Sequence, residues 1–464
     1  MAFRGEGCVV KNGTRFRLFA QAPFLTPFRK PETVIVSSPA GSIGPGPSND
    51  RMYVVDPIGK PLAYGLVENL RGDPLYLLPP WRGDIFPPAL PDRDGHFDHI
   101  APEDPEFEAA HLFGSVRCTL DVWEKYFGHP IAWHFRRDLD RLELVIQRNL
   151  LENAFMGYGF LEVGIHERED GGIEPFSLNF DVIAHEVGHC IIYSVIGVPD
   201  PGTASAEYYG FHESAADLTA LIAALHFDSV IDELLEESRG NLYTRNLVNR
   251  IAELSSNDQI RLAANPLSML DFVRGWHDEH ALAQPLTGAM FDVFVDLFHE
   301  ELVARGLISQ GQEDLSDRLE DSPDYFRIIQ PIFDEAYAAA PADFREALVA
   351  SRDELGMLLA ETWRRLEPDD LSYAAVGNTL RAVDRIVTGG RYRRIIAVNL
   401  DRRAIGQVRV GPRLAAPAKD SHFQMPRVFV PRSTKPCCCW RRLSYREKYE
   451  ARQMRNANEK GMVS

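Results

Sequence analysis

The segment FDVIAHEVGHC, residues 180–190, constrains the chain more than any other part of the sequence. Its two histidines, His185 and His189, are four positions apart and would share one face of a helix. Both imidazoles could therefore bind one ion at about 2.0–2.1 Å. Glu186 would point about 100° round the helix, where it can take a proton from water rather than bind the ion. The pattern predicts a catalytic metal site on a helix.

The setting of this motif is apolar, which favours a metal site over a chance match on a surface helix. Three ionisable groups in a buried helix need a partner that offsets the cost of removing them from water, and a zinc ion would supply one. The apolar residues around the motif are Val182, Ile183, Ala184, Val187, Cys190, Ile191 and Ile192.

A catalytic zinc site usually has a third protein ligand and an open position. The longer pattern HExxHxxGxxH is absent, because Ile192 occupies its glycine position and Val195 and Ile196 lie where its last histidine could fall. The third ligand must therefore come from elsewhere in the chain.

Two downstream glutamates, Glu207 and Glu213, are the candidates for this third ligand. We prefer Glu213, because it begins the helical pattern HESAADLTALIAAL and shares a helical face with Asp217. Asp217 would then accept the outer N–H of a ligand histidine and fix its ring orientation. The neighbouring His212 is expected to face away from the metal.

The order of sequence patterns predicts an α+β fold, with strands first and helices later. Short apolar or alternating segments separated by Pro, Gly and Asp fill the first hundred or so residues, and amphipathic helical patterns follow. The 464 residues are enough for two to four domains. We expect a strand- and loop-rich region at 1–110, a catalytic part at 111–255, a helical part at 256–401 and a basic, flexible tail at 402–464.

Charge is distributed unevenly along the chain. Residues 402–464 contain 15 Lys and Arg against 4 Asp and Glu, a net of +11, which leaves −28 for residues 1–401 out of the total of −17. The acidic body argues against a nucleic-acid enzyme, whereas the basic tail could bind an acidic partner or simply be solvated.

Cysteine spacing and hydropathy indicate where in the cell the protein is expected to be. Six cysteines without a regular spacing do not indicate a disulfide framework, although the adjacent Cys437–Cys439 could bind metal or carry lipid. No apolar run reaches the roughly 18 residues of a membrane span, and the first residues lack the apolar stretch of a secretion signal. We therefore expect a cytoplasmic protein without a transmembrane segment, although export without a leader is not excluded.

HEVGH followed by HESAAD resembles the glutamate zincins of the thermolysin type, which are zinc metallopeptidases. Three further segments support the resemblance, among them AHLFGSVRCTLDVWEKYFG, which is similar to the family's Ala-His helix ahead of the cleft. NAFMGYGFLEVG is similar to the family's edge strand, and HALAQPLTGAMFDVF to its helix after the oxyanion histidine. The resemblance covers residues 110 to 300 approximately.

The resemblance implies a two-lobed fold, with the metal site between a strand-rich N-terminal lobe and a mainly helical C-terminal lobe. It implies zinc held by His185, His189 and Glu213, with Glu186 as general base. His280 would stabilise the oxyanion.

The resemblance also implies a site for an extended peptide. Asn153 and the backbone of Ala154 would hold this peptide by strand addition. Arg261 would bind substrate, and Arg245 is the alternative candidate for this role. The implied activity is hydrolysis of peptide bonds, by an endopeptidase rather than an aminopeptidase, because no Gly-x-Met-x-Asn element is present.

Some family features are missing. Ala204 stands where the family has a tyrosine donor, although Tyr208 or Tyr209 could substitute. Ala224 replaces a calcium-binding glutamate, which argues against calcium despite Asp181. The alternative to a peptidase is therefore a weakly active or inactive relative that binds a partner without cutting it.

Overall fold

We analysed a computed structural model of the chain. It describes residues 13–414 apart from short gaps at 24, 61, 69–73, 149–152, 168–171, 201, 244–249, 254–258, 264 and 320–321. Cys437–Cys439 and the rest of the tail after Leu414 lie outside the described residues.

The first part of the chain is rich in short strands. Strands β1 and β2 form an antiparallel pair in which Phe16 lies opposite Val34, and β4 and β5 form a second antiparallel pair. The five strands of this part are β1 (Gly13–Leu18), β2 (Glu32–Pro39), β3 (Met52–Val55), β4 (Gly65–Glu68) and β5 (Pro74–Leu77).

A four-stranded mixed sheet joins β3 to three later strands. Its order is β3-β6-β8-β7, with β6 at Leu142–Ile146, β7 at Ala154–Gly157 and β8 at Phe160–Val163. Strands β3, β6 and β8 are parallel, whereas β7 pairs with β8 in the antiparallel direction. β7 is therefore an edge strand, with one side available to other groups.

Helices dominate the rest of the described chain, which confirms the predicted α+β class. Two strand pairs, β9 with β10 and β11 with β12, interrupt them. These strands are β9 (Ile165–Glu167), β10 (Ile173–Pro175), β11 (Arg250–Glu253) and β12 (Gln259–Leu262). The helices are α1 (Phe107–Phe127), α2 (Phe180–Val195), α3 (Ala206–Ala224), α4 (Asp228–Ser238), α5 (Glu279–Ala304), α6 (Gln310–Leu319), α7 (Tyr325–Ala339), α8 (Pro341–Trp363), α9 (Tyr373–Val387) and α10 (Arg393–Arg402).

Helix α5 is the central helix of the C-terminal part. By length and mean hydropathy it could cross a membrane, but 83% of its most apolar stretch is buried inside the protein. It packs against α3, α8 and α10. Its apolar surface is thus covered by other helices of the same chain.

His111 connects the strand-rich part to the start of α2. Its Nε2 accepts the backbone N–H of Phe19 at 3.0 Å, and its Nδ1 lies 2.8 Å from the carbonyl oxygen of Ser177. Burial lowers the pKa of His111 to about 4, so the ring is neutral and can donate from Nδ1 while it accepts at Nε2. These two bonds fix α1 against the chain that enters α2.

Residues 402–414, which we assigned to the flexible tail, instead pack against the body. Arg403 is buried and forms an ion pair with Asp292 on α5 at 2.7 Å. Its guanidinium also donates to the backbone carbonyls of Asn265 and Leu267. Composition indicated a basic extension but could not show that one arginine has a buried acidic partner.

We expect the free energy of unfolding to fall as pH rises because of Asp296, a half-buried carboxyl on α5. Burial raises its pKa to about 7, although bonds from Asn399 and Tyr243 oppose this shift. The folded state therefore binds a proton that the unfolded state releases near pH 4. This contribution is fully present below pH 4 and is lost as pH approaches 7.

Asp296→Asn removes this titration while preserving the shape of the side chain. Relative to wild type, the variant should gain up to about 4 kcal/mol between pH 4 and pH 8, because each of the roughly three units of pKa difference is worth about 1.36 kcal/mol. Urea unfolding at both pH values measures the difference, and the exposed Asp343→Asn is the control. An equal effect of Asp296→Asn at both pH values would contradict the assignment.

Candidate metal centre

Helix α2 carries the two histidines of the HEVGH motif. The side chain of Asn179 accepts the N–H of Val182 and caps the N-terminus of the helix. His185 and His189 are both buried, and their Nε2 atoms lie 3.1 Å apart. The predicted convergence of the two rings on one face of the helix is therefore present.

Helix α3 brings a carboxylate to the same point. Oε2 of Glu213, which is fully buried, lies 3.4 Å from Nε2 of His185 and 3.8 Å from Nε2 of His189. Among the described residues, these three side chains form a group whose possible ligand atoms all lie within 4.8 Å of one another.

The spacing of these atoms fits a metal ion. An ion bound tetrahedrally at about 2.0–2.1 Å keeps its donors about 3.3–3.4 Å apart. The three separations, 3.1, 3.4 and 3.8 Å, lie close to this value. Two imidazole nitrogens and one carboxylate oxygen are a donor set suited to zinc.

A close contact between two helices makes this geometry possible. Gly188, between the two histidines, faces α3. A Cβ atom at this position would lie 2.7 Å from Cα of Ala216 and 2.9 Å from Cβ of Thr219. Any larger residue would push α3 away. Since Glu213 is on α3, the glycine of HEVGH controls the distance between the carboxylate and the imidazoles.

Asp217 lies where the sequence placed it, one helical turn after Glu213. Its Oδ1 is 3.0 Å from Nδ1 of His185. A carboxylate at this distance from Nδ1 lies where the outer partner of a ligand histidine is expected. That Asp217 orients His185 for a metal stays a prediction.

His212 contacts the site, contrary to our expectation that it would face away. Its Nδ1 lies 2.8 Å from Nδ1 of His189, so one ring donates its N–H to the other. If His189 is the donor, the lone pair of its Nε2 lies on the side of His185 and Glu213. Burial lowers the pKa of His212 to about 3, so it is neutral. The sequence signal was the pair His212-Glu213, but only the close approach of α2 and α3 reveals the contact.

The charge state of Glu213 suits metal binding. Although burial works to raise its pKa, the charges of His280 and His189 and a hydrogen bond with His185 hold that pKa well below the usual range for a carboxyl. Glu213 is therefore ionised near neutral pH, as a metal ligand must be.

The carboxylate of Glu186, a residue of α2, contacts the sheet. Its Oε2 accepts the backbone N–H of Met156 on the edge strand β7 at 2.9 Å. The side chain is 5% exposed. The carboxylate therefore lies between α2 and the edge strand and is not part of the group of three donors.

His280 lies at the same cluster, in the first turn of α5. Its Nε2 is 3.4 Å from Oε2 of Glu213, and its side chain is one-third exposed. The exposed ring can meet a molecule that enters from solvent. The structure thus places His280 beside the three donors, although its role stays a prediction.

The structure describes some of the predicted substrate-binding residues but not others. The backbone N–H of Ala154 donates to the side-chain Oδ1 of Asn153 at 2.9 Å, so both groups already have a partner within the chain. Arg261 is in strand β12, and its side chain, like Arg245, lies outside the described residues. Substrate binding by these residues stays a prediction.

Glu207, the other candidate for the third metal ligand, makes its contacts elsewhere. Its carboxylate accepts the backbone N–H of Tyr373 at the start of α9 and is not part of the donor group. Tyr208 is buried and its hydroxyl contacts the carbonyl of Gly197, as expected for a packing residue. Asp181 accepts a hydrogen bond from Gln21.

Comparisons with known proteins add little. No family model and no curated protein matches the chain. The precursor of protealysin, a metalloproteinase from Serratia proteamaculans, is similar in structure, with a TM-score of 0.44, 12% sequence identity, and coverage of 80% of this chain and 90% of that chain. A likeness this low supports no inference about function, which must rest on the donors described above.

Proposed function

We propose that the protein is a zinc-dependent endopeptidase. The observation that carries this proposal is the convergence of His185, His189 and Glu213, together with the hydrogen bond by which the edge strand holds the carboxylate of Glu186, the residue next to His185. HEVGH and HESAAD resemble the motifs of glutamate zincins, and the geometry around them fits that chemistry.

The donors divide the work of holding the metal. His185 and His189 would bind through Nε2, with Asp217 and His212 fixing their rings from the Nδ1 side. Glu213 would supply the third donor and one negative charge. Zinc, when bound, supplies Lewis-acid activation of water and polarises a carbonyl group.

Glu186 is the general base of the proposal. It would take a proton from the attacking water and deliver it to the departing amine. The hydrogen bond from Met156 fixes its carboxylate in place, so that little rearrangement is needed during proton transfer. His280 would donate a hydrogen bond to the oxygen that becomes negative as the carbonyl is attacked.

The edge strand β7 is the proposed platform for an extended peptide. Because backbone groups alternate along an antiparallel strand, the N–H of Ala154 points to the same outer side as that of Met156. Both N–H groups have partners within the chain. A peptide that adds to β7 would therefore accept from Ala154 only after Asn153 turns away.

A peptide-library digestion with and without a chelator tests the proposal. We expect cleavage within peptides that stops when the chelator removes zinc and returns when zinc is added. Purified protein that contains zinc but cleaves nothing would support a partner-binding module instead. Cleavage that ignores the chelator would contradict the metal centre.

A further inference from the structure

A cleft of about 610 Å³ lies between α4, α7 and α8. Ligand-binding clefts commonly have volumes of about 300–1,000 Å³. The residues that line this one belong to α4, to the first turns of α8, to Tyr337 of α7 and to Pro27 in the N-terminal part. None of them is a candidate metal donor. The cleft is therefore a feature separate from the candidate metal centre.

Three carboxylates of α4 line this cleft, which we call the acidic cleft: Asp232, Glu233 and Glu236. Two of them already have cationic partners. Asp232 lies 3.0 Å from Nε of Arg345, and Glu236 lies 2.7 Å from Nη2 of Arg239. Both carboxylates are more than half exposed, so water and salt screen these two pairs.

Glu233 is the third carboxylate of the acidic cleft, and it has no such partner. The residue is half-buried, and within the part of the chain that the structure describes it forms neither an ion pair nor a hydrogen bond. Its carboxylate is thus partly removed from water without a cation that offsets this loss. Nor does Glu233 belong to a group of described side chains that could hold a metal ion. The acidic cleft therefore offers a single unpaired negative charge.

Tyr337 is a second polar group of the acidic cleft that lacks a partner. The residue is only 9% exposed, and its ring centre lies 5.5 Å from the ring of Phe344 and 5.5 Å from the guanidinium of Arg239. Burial and the charge of Glu236 raise the pKa of its hydroxyl, which stays protonated near neutral pH. Among the described residues, that hydroxyl donates to no acceptor. Because hydroxyls of buried side chains usually have a partner, this one favours an acceptor that a ligand brings.

An arginine residue of a peptide would satisfy both groups. Its guanidinium can donate to Glu233, and a peptide carbonyl beside it can accept from Tyr337. Pro27 and Pro341 line the cleft and are exposed, so they offer apolar surface to the methylene groups of the arginine. The net charge of −28 over residues 1–401 also attracts a cationic peptide.

We propose that the acidic cleft binds an arginine side chain of a peptide segment from another protein. Glu233 is the charged partner of the guanidinium, and Tyr337 donates a hydrogen bond to the peptide backbone. Because the metal donors do not line the cleft, binding there requires neither zinc nor peptide hydrolysis. Its failure would leave the proposed peptidase function untouched.

Fluorescence anisotropy with the full chain tests the chemistry of the ligand. The probe is the capped peptide Gly-Gly-Arg-Gly-Gly with a neutral fluorophore, and Glu186→Gln protein is used so that the peptide stays intact. We expect a Kd at least tenfold lower than that of the same peptide with glutamine in place of arginine. Equal Kd values for the two peptides would overturn the proposal.

Free arginine separates a peptide ligand from a free amino acid. It carries a carboxylate that the acidic cleft repels, and it lacks the peptide carbonyls that Tyr337 would bind. We therefore expect free arginine to displace the probe at least tenfold less effectively than the unlabelled peptide does. Equal displacement would overturn the assignment of a peptide as the ligand.

Two variants test whether the peptide binds in the acidic cleft. Glu233→Gln should raise the Kd of the arginine peptide about three- to tenfold, and Tyr337→Phe about two- to tenfold through the loss of one hydrogen bond. The control is Glu335→Gln, which removes an exposed charge from α7 outside the cleft and should leave the Kd within about twofold. Unchanged binding in both cleft variants, or an equal loss in the control, would overturn the site. Far-UV circular dichroism melting checks that each variant remains folded.

Discussion

Replacing Glu186 with glutamine is expected to lower kcat for peptide hydrolysis by about 10²- to 10⁴-fold, the usual contribution of a general base. Glutamine keeps the shape of the side chain, and its carbonyl oxygen can still accept the N–H of Met156. It cannot take a proton from water. Stopped peptide assays give kcat, and metal analysis should show the zinc content of wild type.

Glu207→Gln is the matched control for this experiment. It removes the same charge from the neighbouring helix α3, where the carboxylate accepts the N–H of Tyr373 outside the donor group. We expect kcat within about threefold of wild type, since no catalytic contact is lost. Full activity in Glu186→Gln would show that another group is the base.

Replacing His189 with alanine is expected to abolish zinc binding. The variant removes one of three donors, and it also leaves His212 without its partner on Nδ1. When the free zinc concentration is 100 times the Kd, zinc binding stabilises the folded protein by about 2.7 kcal/mol. The rise in melting temperature that zinc gives wild type should therefore disappear, together with zinc in the purified protein.

The control for His189→Ala is the exposed His129→Ala, which lies outside the donor group. It should bind as much zinc as wild type and respond to a chelator in the same way. Equal zinc in His189→Ala and wild type would show that the metal, if one is bound, has other ligands. Glu213→Gln should behave like His189→Ala, because the third donor loses its charge.

Local periodicity was enough to predict the helical side of the site. His185 and His189 face the same way because they are four residues apart on one helix, and Glu213 and Asp217 do so on the next. The α+β class followed similarly, since turn-separated strands and amphipathic helices occupy different parts of the chain. These features depend on neighbours in sequence.

Contacts between distant segments could not be predicted in this way. The contact between His212 and His189 depends on the approach of α3 to α2 at Gly188, which no spacing in the sequence specifies. Likewise, the partner of Arg403 is 111 residues away. Each of these contacts requires the packing of whole helices to be known first.

In the proposed mechanism, the hydrogen bond from Met156 to Glu186 would make metal binding and catalysis depend on different parts of the protein. The proposed metal donors come from α2 and α3, whereas the proposed base is oriented by an edge strand of the sheet. Mutations confined to that strand could therefore abolish catalysis even when the HEVGH and HESAAD motifs are unchanged. In chains built this way, an intact motif is a guide to metal affinity and a poor guide to catalytic competence.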